Sequence, residues 1–410
     1  MPSPQLAHRH VLLGVTGSIA AYKAPDFVRR LREGGAAVSV VLTESASRFV
    51  SPLTFQALSG SRVYTGMFEA GDGEMPHIGL ARGCDLVLVA PATAQTVSSL
   101  AGGAADSLLA AIILACRAPV VVCPAMNSHM YQHPATQANL ERLRHFGYRI
   151  VEPECGAMAC GEEGPGRLPE WDAIREALLA ALAPQDLAGE TVLVTAGPTR
   201  EFLDPVRYLS NRSSGRMGDA VCRTARRRGA RVILVSGPTA LPPPPGVELV
   251  RVTTALEMAQ AVERQLAQAS LVVKTAAVAD FRPAVCAATK IKKAQGVPAL
   301  DLVANPDILA EVGRRRGAGP SPFLVGFAAE SLVTADEGWR KLREKNLDLL
   351  VANDISRADA GFDVDAIAMT LFLRDGSMEE CPLLTKEEAA DRLWDQVVLR
   401  RPTPAMPAHT

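Results

Sequence analysis

The sequence of 410 residues lacks the features of several common classes of protein. Its longest uninterrupted apolar stretch, Leu108–Cys116, is half of the roughly 20 residues that cross a bilayer. Residues 1–15 lack the apolar run and cleavage site of a signal peptide. Aromatic residues make up only 5%, which argues against stacking platforms for single-stranded nucleic acid. The sequence therefore predicts no membrane and no nucleic-acid partner.

Charge and cysteine content narrow the class further. The 43 Lys and Arg residues against 44 Asp and Glu leave a net charge of −1, so the chain has no global field for polyanions. The eight cysteines include no CxxC pair, which is typical of free thiols in a reducing compartment. We therefore expect a cytoplasmic globular protein, and its length predicts more than one domain.

Short apolar segments alternate with helix-length segments along the chain. Because the apolar segments do not alternate with polar residues, both faces of their sheets must be covered by helices, which favours mainly parallel sheets. The pattern restarts at Glu190 and predicts two Rossmann-like α/β domains, residues 1–185 and 186–410. Near the end, Arg-Asp-Gly-Ser at 374–377 predicts a β-hairpin. The predicted strands are 10–15, 36–42, 85–90, 119–123, 148–151, 191–195, 231–235, 271–274, 323–327 and 347–351.

A glycine-containing turn, residues 14–20, follows the first strand and opens a helix. Its small residues let backbone N–H groups approach a phosphate, and Thr16 and Ser18 add hydroxyl donors. The spacing is not GxGxxG, so the dinucleotide fingerprint is absent. The turn indicates either a mononucleotide site or a simple tight connection.

Two polar residues of the first half are candidates for binding a substrate. Asn127 ends the loop after the strand 119–123 and offers both a donor and an acceptor, or else caps the next helix. His77 begins a short helix after a glycine-rich loop, where a surface or capping role is the alternative.

Cys160 lies in the segment Ala-Cys-Gly-Glu-Glu-Gly-Pro-Gly-Arg-Leu at 159–168. Three glycines and a proline in eight residues predict a mobile flap without a strand or helix. A thiol on such a flap suits acid–base chemistry, and a buried structural cysteine is the alternative.

The first half resembles the flavin-dependent cysteine decarboxylases of coenzyme A synthesis. The resemblance rests on TGSIAAYK (16–23), APATA (90–94), ADSLL (105–109), PAMN (124–127) and ACGEEGPGRL (159–168). It implies a flavodoxin-like domain that binds FMN, with His77 and Asn127 acting on the substrate carboxylate and Cys160 donating a proton. The residues that it implies for FMN binding are Gly17, Ser18, Thr43, Thr93, Asp106 and Ser107.

The second half has loops suited to phosphates. TAGPTRE (195–201) follows the restart strand, and a glycine-punctuated segment with several arginines leads into a helix from Asp219. We expect the run Arg226–Arg228 to form a solvated helix face. No GxxxxGK[ST] is present, so this is not a P-loop protein.

Acidic and basic residues near other strand ends suit a metal-bound polyphosphate. Asp280 closes one strand and Lys290 lies in a Lys cluster on the following loop, although a solvated basic turn explains the cluster equally well. Lys341 and Lys345 are one helical turn apart and are expected to reach the same anion.

This half resembles the phosphopantothenate–cysteine ligases over essentially its whole length. The match is carried by TAGPTRE, DPVRYLSNRSSGRMG, AAVAD, KIKK, NPDIL, GFAAE and KNLDLLVAND. It implies that CTP, with Mg²⁺ at Asp280, activates the phosphopantothenate carboxylate as an acyl-cytidylate for attack by cysteine. Asn211 would hold the acyl intermediate and Lys290 would stabilise its charge. The residues that it implies for CTP binding are Lys274, Thr275, Ala276, Asp280, Lys290, Pro306, Asp307, Ile308, Leu309, Phe327, Lys341 and Lys345.

Together the two resemblances imply a bifunctional enzyme of coenzyme A synthesis that acts on small molecules. They also imply a homo-oligomer, either trimer-based or a dodecamer, with the ligase domains as dimers. The sequence leaves a CTP or ATP preference open. The alternatives are a flavin-dependent decarboxylase of a peptide cysteine and a non-enzymatic binding homologue.

Overall fold

The structure is a computed structural model that describes residues 6–68, 75–157, 161–292, 299–330, 334–354, 356 and 364–401. The chain divides into two compact units, Met1–Ala183 and Pro184–Thr410. Each unit has its own hydrophobic clusters.

The described part of the first unit contains a six-stranded parallel sheet in the order β3-β2-β1-β4-β5-β6. Its strands are β1 (His10–Val15), β2 (Ala37–Leu42), β3 (Val63–Tyr64), β4 (Leu86–Ala92), β5 (Val120–Pro124) and β6 (Arg149–Ile150). Its helices are α1 (Ala24–Glu33), α2 (Glu44–Ser47), α3 (Pro52–Ser59), α4 (Pro76–Gly83), α5 (Ala94–Gly102), α6 (Leu108–Ala115), α7 (Ser128–Gln132), α8 (Pro134–His145) and α9 (Trp171–Leu182). A 3₁₀ turn, Ile19–Lys23, precedes α1.

Helices cover both faces of this sheet. Val11 and Leu13 pack in one cluster with residues of α1 and α9, whereas Leu12 packs in another with residues of α5, α6 and α8. Successive strand residues point to opposite faces, so an apolar run such as β1 is buried on both sides. The predicted α/β class with mainly parallel sheets is confirmed. No described helix is long and apolar enough to span a bilayer.

The expectation that the glycine-rich segment 159–168 forms no strand is wrong. β8 (Glu163–Arg167) pairs antiparallel with β7 (Glu154–Ala157) in a two-stranded ribbon with a register shift between Glu154 and Cys155. Pairing with β7 outweighs the weak strand propensity of these residues. The strand is also held to the loop after β5, where the Met126 N–H donates to the Gly166 carbonyl at 3.0 Å. Cys160 lies outside the described residues.

The described part of the second unit contains an eight-stranded sheet in the order β13-β12-β9-β14-β17-β18-β20-β21. Its strands are β9 (Thr191–Ala196), β12 (Arg231–Ser236), β13 (Glu248–Arg251), β14 (Leu271–Lys274), β17 (Phe323–Glu330), β18 (Leu349–Asp354), β20 (Met369–Leu373) and β21 (Met378–Glu380). The first six are parallel, and β20 and β21 form an antiparallel hairpin at the edge, as predicted around residues 374–377.

Small ribbons and helices complete this unit. The ribbons pair β10 (Arg200–Phe202) with β11 (Tyr208–Ser210), β15 (Phe281–Pro283) with β16 (Leu302–Ala304), and β19 (Ala366–Ile367) with β22 (Leu384–Thr385). The helices are α10 (Arg216–Arg227), α11 (Ala255–Leu266), α12 (Ile308–Arg316), α13 (Ala335–Glu344) and α14 (Lys386–Arg400). Thr385 and Glu388 form a capping box at the start of α14.

The expectation that Arg226–Arg228 is a solvated helix face is wrong for two of the three residues. Arg227 and Arg228 are buried. Arg227 pairs with Glu387 at 3.1 Å, and Arg228 bridges Asp186 at 2.6 Å and Asp395 at 2.7 Å. The partners lie far away in sequence and include residues of α14, so charge patterning within α10 could not indicate them.

Candidate active sites

Of the predicted flavin-binding residues of the first unit, Gly17, Ser18, Thr43 and Thr93 follow strands, whereas Asp106 and Ser107 lie between α5 and α6. Four of the six cap helical segments. Ser18 caps the 3₁₀ turn, and Thr43, Thr93 and Ser107 cap α2, α5 and α6. Each hydroxyl oxygen accepts a backbone N–H, at 3.4, 3.3, 3.3 and 3.2 Å respectively. Helix N-termini carry unpaired N–H groups and a partial positive charge, so such ends suit a phosphate.

Close backbone packing shapes the glycine turn after β1. A Cβ atom built at Gly17 would lie 2.3 Å from the Cβ of Ser45, so a larger side chain does not fit there. The buried Thr16 hydroxyl donates to the Pro91 carbonyl at 2.8 Å and accepts the Thr93 N–H at 3.0 Å. This bridge joins the loops after β1 and β4. Thr16 thus positions Thr93. Sequence reasoning could not find this role, because the two loops are adjacent only in the folded chain.

A cavity of about 530 Å³ adjoins the same edge of the sheet, and Ser18, Tyr22, Asn127 and Arg167 are among its lining residues. The side-chain Oδ1 atom of Asn127 caps α7 by accepting the His129 N–H at 2.9 Å. Its amide nitrogen donates to the Glu162 carboxylate at 2.6 Å. The capping alternative is therefore observed, and the amide N–H₂ group contacts a carboxylate of the chain itself. Sequence reasoning missed Glu162, which lies on the ribbon segment.

His77 is not among the residues that line this cavity. It lies at the second position of α4, where its Nδ1 atom is buried and has no hydrogen-bond partner among the described residues. An unpaired buried nitrogen is unusual in a folded protein. Asp106 accepts the Ser99 hydroxyl at 2.8 Å, beside the start of α6.

The second unit has a cavity of about 420 Å³ between the end of β14, the end of β17 and the start of α10. Six predicted site residues are among its lining residues, namely Asn211, Lys274, Thr275, Ala276, Asp280 and Phe327. Gly215 has a φ of +78° at the start of α10. A Cβ at Gly218 would lie 2.3 Å from the Cβ of Ala196, so glycine lets α10 approach β9 closely. The Asn211 amide is held by a 3.0 Å hydrogen bond to the Val278 carbonyl.

Lys290 is exposed and is not among the residues that line this cavity. Its loop is anchored by Asp204, whose buried carboxylate accepts the N–H groups of Val206, Arg207 and Ile291 at 2.7, 2.8 and 3.1 Å. Burial opposes ionisation of Asp204, but these three N–H donors together lower its pKa. Asp204 is a structural residue of the site. Sequence reasoning missed it, although the Asp-Pro pair at 204–205 is a turn signal that could have indicated it.

The other predicted CTP residues gather around the start of α12 and the end of α13. Asp307 caps α12 and pairs with Lys345 at 2.8 Å, with Ile308 and Leu309 buried behind it. Lys341 instead pairs with Glu330 and with Glu337, the latter at 3.4 Å. Burial lowers the pKa of Lys274, against the attraction of Asp307. Pro306 directly precedes Asp307. Of these residues, only Lys274 lines the cavity.

No group of three or more His, Cys, Asp or Glu residues in the described part of the chain could hold a metal ion. Asp280 therefore has no neighbouring metal-binding set in this part. A cation there would need most of its oxygen ligands from a bound polyphosphate and water, as Mg²⁺ commonly does.

Comparison with known proteins follows the division into two units. Residues 2–183 match the family model described as Flavoprotein, and residues 187–399 match that of the DNA/pantothenate metabolism flavoprotein C-terminal domain. The coenzyme A biosynthesis bifunctional protein CoaBC of Escherichia coli K12 is 46% identical over 96% of this chain and 98% of its own. That of Bacillus subtilis 168 is 45% identical over 96% and 97%. A crystal structure of the C-terminal domain of CoaBC is 40% identical, covering 52% of this chain and 97% of its own, with a TM-score of 0.45.

Proposed function

Because the chain belongs to the family of coenzyme A biosynthesis bifunctional proteins CoaBC, we propose that it carries out two consecutive reactions of that pathway. The second unit joins 4′-phosphopantothenate to cysteine with CTP, and the first decarboxylates the product to 4′-phosphopantetheine with FMN. The observation that carries the proposal is that each unit has a cavity lined by one predicted catalytic amide, Asn127 or Asn211.

The ligase reaction needs a leaving group, because an ionised carboxylate is a poor electrophile. In our proposal the phosphopantothenate carboxylate attacks the α-phosphorus of CTP, pyrophosphate leaves, and the cysteine amine then displaces CMP. Asn211, held by Val278, binds the acyl group, and Lys274 contributes positive charge to the nucleotide site. Asp280 would hold Mg²⁺, which neutralises charge on the departing pyrophosphate.

The decarboxylation needs an electron sink beside the carboxylate. FMN supplies a reversible hydride acceptor, which lets the substrate thiol pass through a thioaldehyde before carbon dioxide leaves. The close packing at Gly17 and the capping hydroxyls of Ser18, Thr43, Thr93 and Ser107 fit its phosphate-bearing end, with Asp106 nearby. Asn127 would bind the substrate carboxylate together with His77, and Cys160 would protonate the enethiolate product.

We infer that a second copy of the chain completes each site. His77 and Lys290 are not among the residues that line the cavity of their own unit, although the proposed reactions need both. In the first unit, Ile19 and Tyr22 beside the cavity and Met75 beside His77 are all more than half exposed. Exposed apolar side chains at both places support contact between copies. Trimers or a dodecamer with paired ligase units fit this arrangement.

The free thiols of the seven described cysteines support a reducing, cytoplasmic location.

Two half-reactions test the function directly. The purified protein should show a flavin absorption spectrum, release CMP from CTP only when phosphopantothenate and cysteine are present, and release carbon dioxide from phosphopantothenoylcysteine. Replacing CTP by ATP measures the nucleotide preference. A colourless protein without CMP release would overturn both halves.

Mixed oligomers test the shared sites. Asn211→Ala and Lys290→Gln should each abolish ligation, whereas oligomers reassembled from both variants should regain part of it. Absence of any recovery in demonstrably mixed oligomers would show that each ligase site belongs to one chain.

A further inference from the structure

Two cysteines of the first unit lie side by side, away from the predicted flavin-binding loops. Cys84 directly follows α4 and Cys116 directly follows α6, and their sulfur atoms are 3.5 Å apart. Both are free thiols, and they are 32 residues apart in sequence. The contact forms because α4 and α6 pack together in the cluster that covers one face of the sheet.

The surroundings distinguish the two thiols. Cys84 is buried, and its thiol lies 3.8 Å from the Ala81 carbonyl oxygen. Cys116 is half-buried and accepts the Ala118 N–H at 3.3 Å. The hydrogen bond from Cys84, with support from this N–H, lowers the pKa of Cys116, whereas the same contact and burial raise the pKa of Cys84. Cys116 is therefore the better nucleophile.

A small oxidant can approach the pair. A cavity of about 630 Å³ is lined by Cys84 and by Ala115, Arg117 and Ala118 around Cys116, and Cys116 itself is partly exposed. The two exposed cysteines among the described residues are Cys155 and Cys286, and neither has a described thiol within hydrogen-bond distance.

We propose that Cys84 and Cys116 form a redox-active dithiol, which hydrogen peroxide converts to an intramolecular disulfide. The Cys116 thiolate attacks one peroxide oxygen and breaks the O–O bond, giving a sulfenic acid and hydroxide. The Cys84 sulfur then attacks the sulfenic sulfur, and water leaves as the S–S bond forms. Two thiols thus lose two hydrogens and two electrons, and one peroxide becomes two waters. A dithiol reductant reverses the step.

The disulfide would tie together the C-terminal ends of α4 and α6. Their opposite ends carry His77 and Ser107. The site is independent of the proposed function, because it needs only the packing of these helices.

Mass spectrometry of the full chain tests the proposal. The protein is treated with hydrogen peroxide, remaining thiols are alkylated with iodoacetamide, and the digest is searched for a peptide pair joined through residues 84 and 116. We expect this pair to form at least about tenfold faster than Cys286 loses its thiol, and to disappear after dithiothreitol. Cys84→Ser and Cys116→Ser should each abolish it, and Cys286→Ser is the matched control that keeps it.

The decisive measurement is made on the unmodified chain, so poor folding of a variant cannot account for a negative result. If both thiols stay open to alkylation after Cys286 has been oxidised, the proposal fails. It also fails if residues 84 and 116 become separately oxidised or join other cysteines.

Discussion

Both cavities lie at the carboxyl edge of a parallel sheet, yet the predicted ligand-binding residues of the two units differ in charge. In the first unit most are small and neutral, and Ser18, Thr43, Thr93 and Ser107 begin helical segments. In the second, four of the twelve are lysines, at positions 274, 290, 341 and 345. Capping hydroxyls and N–H groups suffice for one phosphate, whereas a triphosphate with a departing pyrophosphate needs cations. The same sheet edge thus serves different chemistry through its loops.

The strongest test of this comparison removes one amide at a time. Asn211→Ala should lower ligation by about 100-fold or more, because an aligned donor at the reacting group is lost. Asn127→Ala should lower decarboxylation by a similar factor. The measurements are CMP release and carbon dioxide release for both variants.

Each variant serves as the control for the other. If either substitution impaired both reactions to the same extent while the oligomer stayed intact, the two cavities would not be separate sites.

The buried Arg228 and its ion pairs are expected to contribute to the free energy of unfolding of the second unit. Arg228→Met should lower its free energy of unfolding by about 2 kcal/mol, because Asp186 and Asp395 lose a shared buried partner. Arg231→Met is the matched control, since its pair with Glu248 is exposed and should contribute less than about 1 kcal/mol. Calorimetry of the full chain gives both values.

The effect of Arg228→Met should be confined to the unfolding transition of the second unit. Equal losses in the two arginine variants would contradict the assignment of Arg228 to a buried network.

Lys274 tests the role of charge at the nucleotide site. Lys274→Met keeps most of the length of this partly buried side chain and removes its charge, so the KM for CTP should rise by about tenfold. The flavin content of the same protein should stay unchanged. An unaltered KM for CTP would place the nucleotide away from Lys274.

Glu162 gives the smallest expected effect. Its carboxylate accepts the Asn127 N–H that the substrate carboxylate would use, so Glu162→Gln should lower the KM for phosphopantothenoylcysteine by about threefold. Glu163→Gln, at the next position, is the control and should leave the KM unchanged. A raised KM in Glu162→Gln would mean that Glu162 helps to bind the substrate.

Sequence patterns predicted the strands and the loops at their ends because both depend on local signals, apolar runs followed by glycine or a capping residue. Residues whose roles depend on distant partners could not be found in this way. Glu163–Arg167 becomes a strand through pairing with Glu154–Ala157, and Arg228 is buried by a contact 167 residues away. The contacts of Asn127 with Glu162 and of Cys84 with Cys116 likewise need the folded chain.

One measurement tests the central claim, that a single chain performs both reactions. The purified protein is given phosphopantothenate, cysteine and CTP, and CMP, carbon dioxide and phosphopantetheine are quantified together. We expect all three to form at equal rates once the intermediate reaches a steady level. CMP without carbon dioxide from a flavin-loaded protein would contradict the claim.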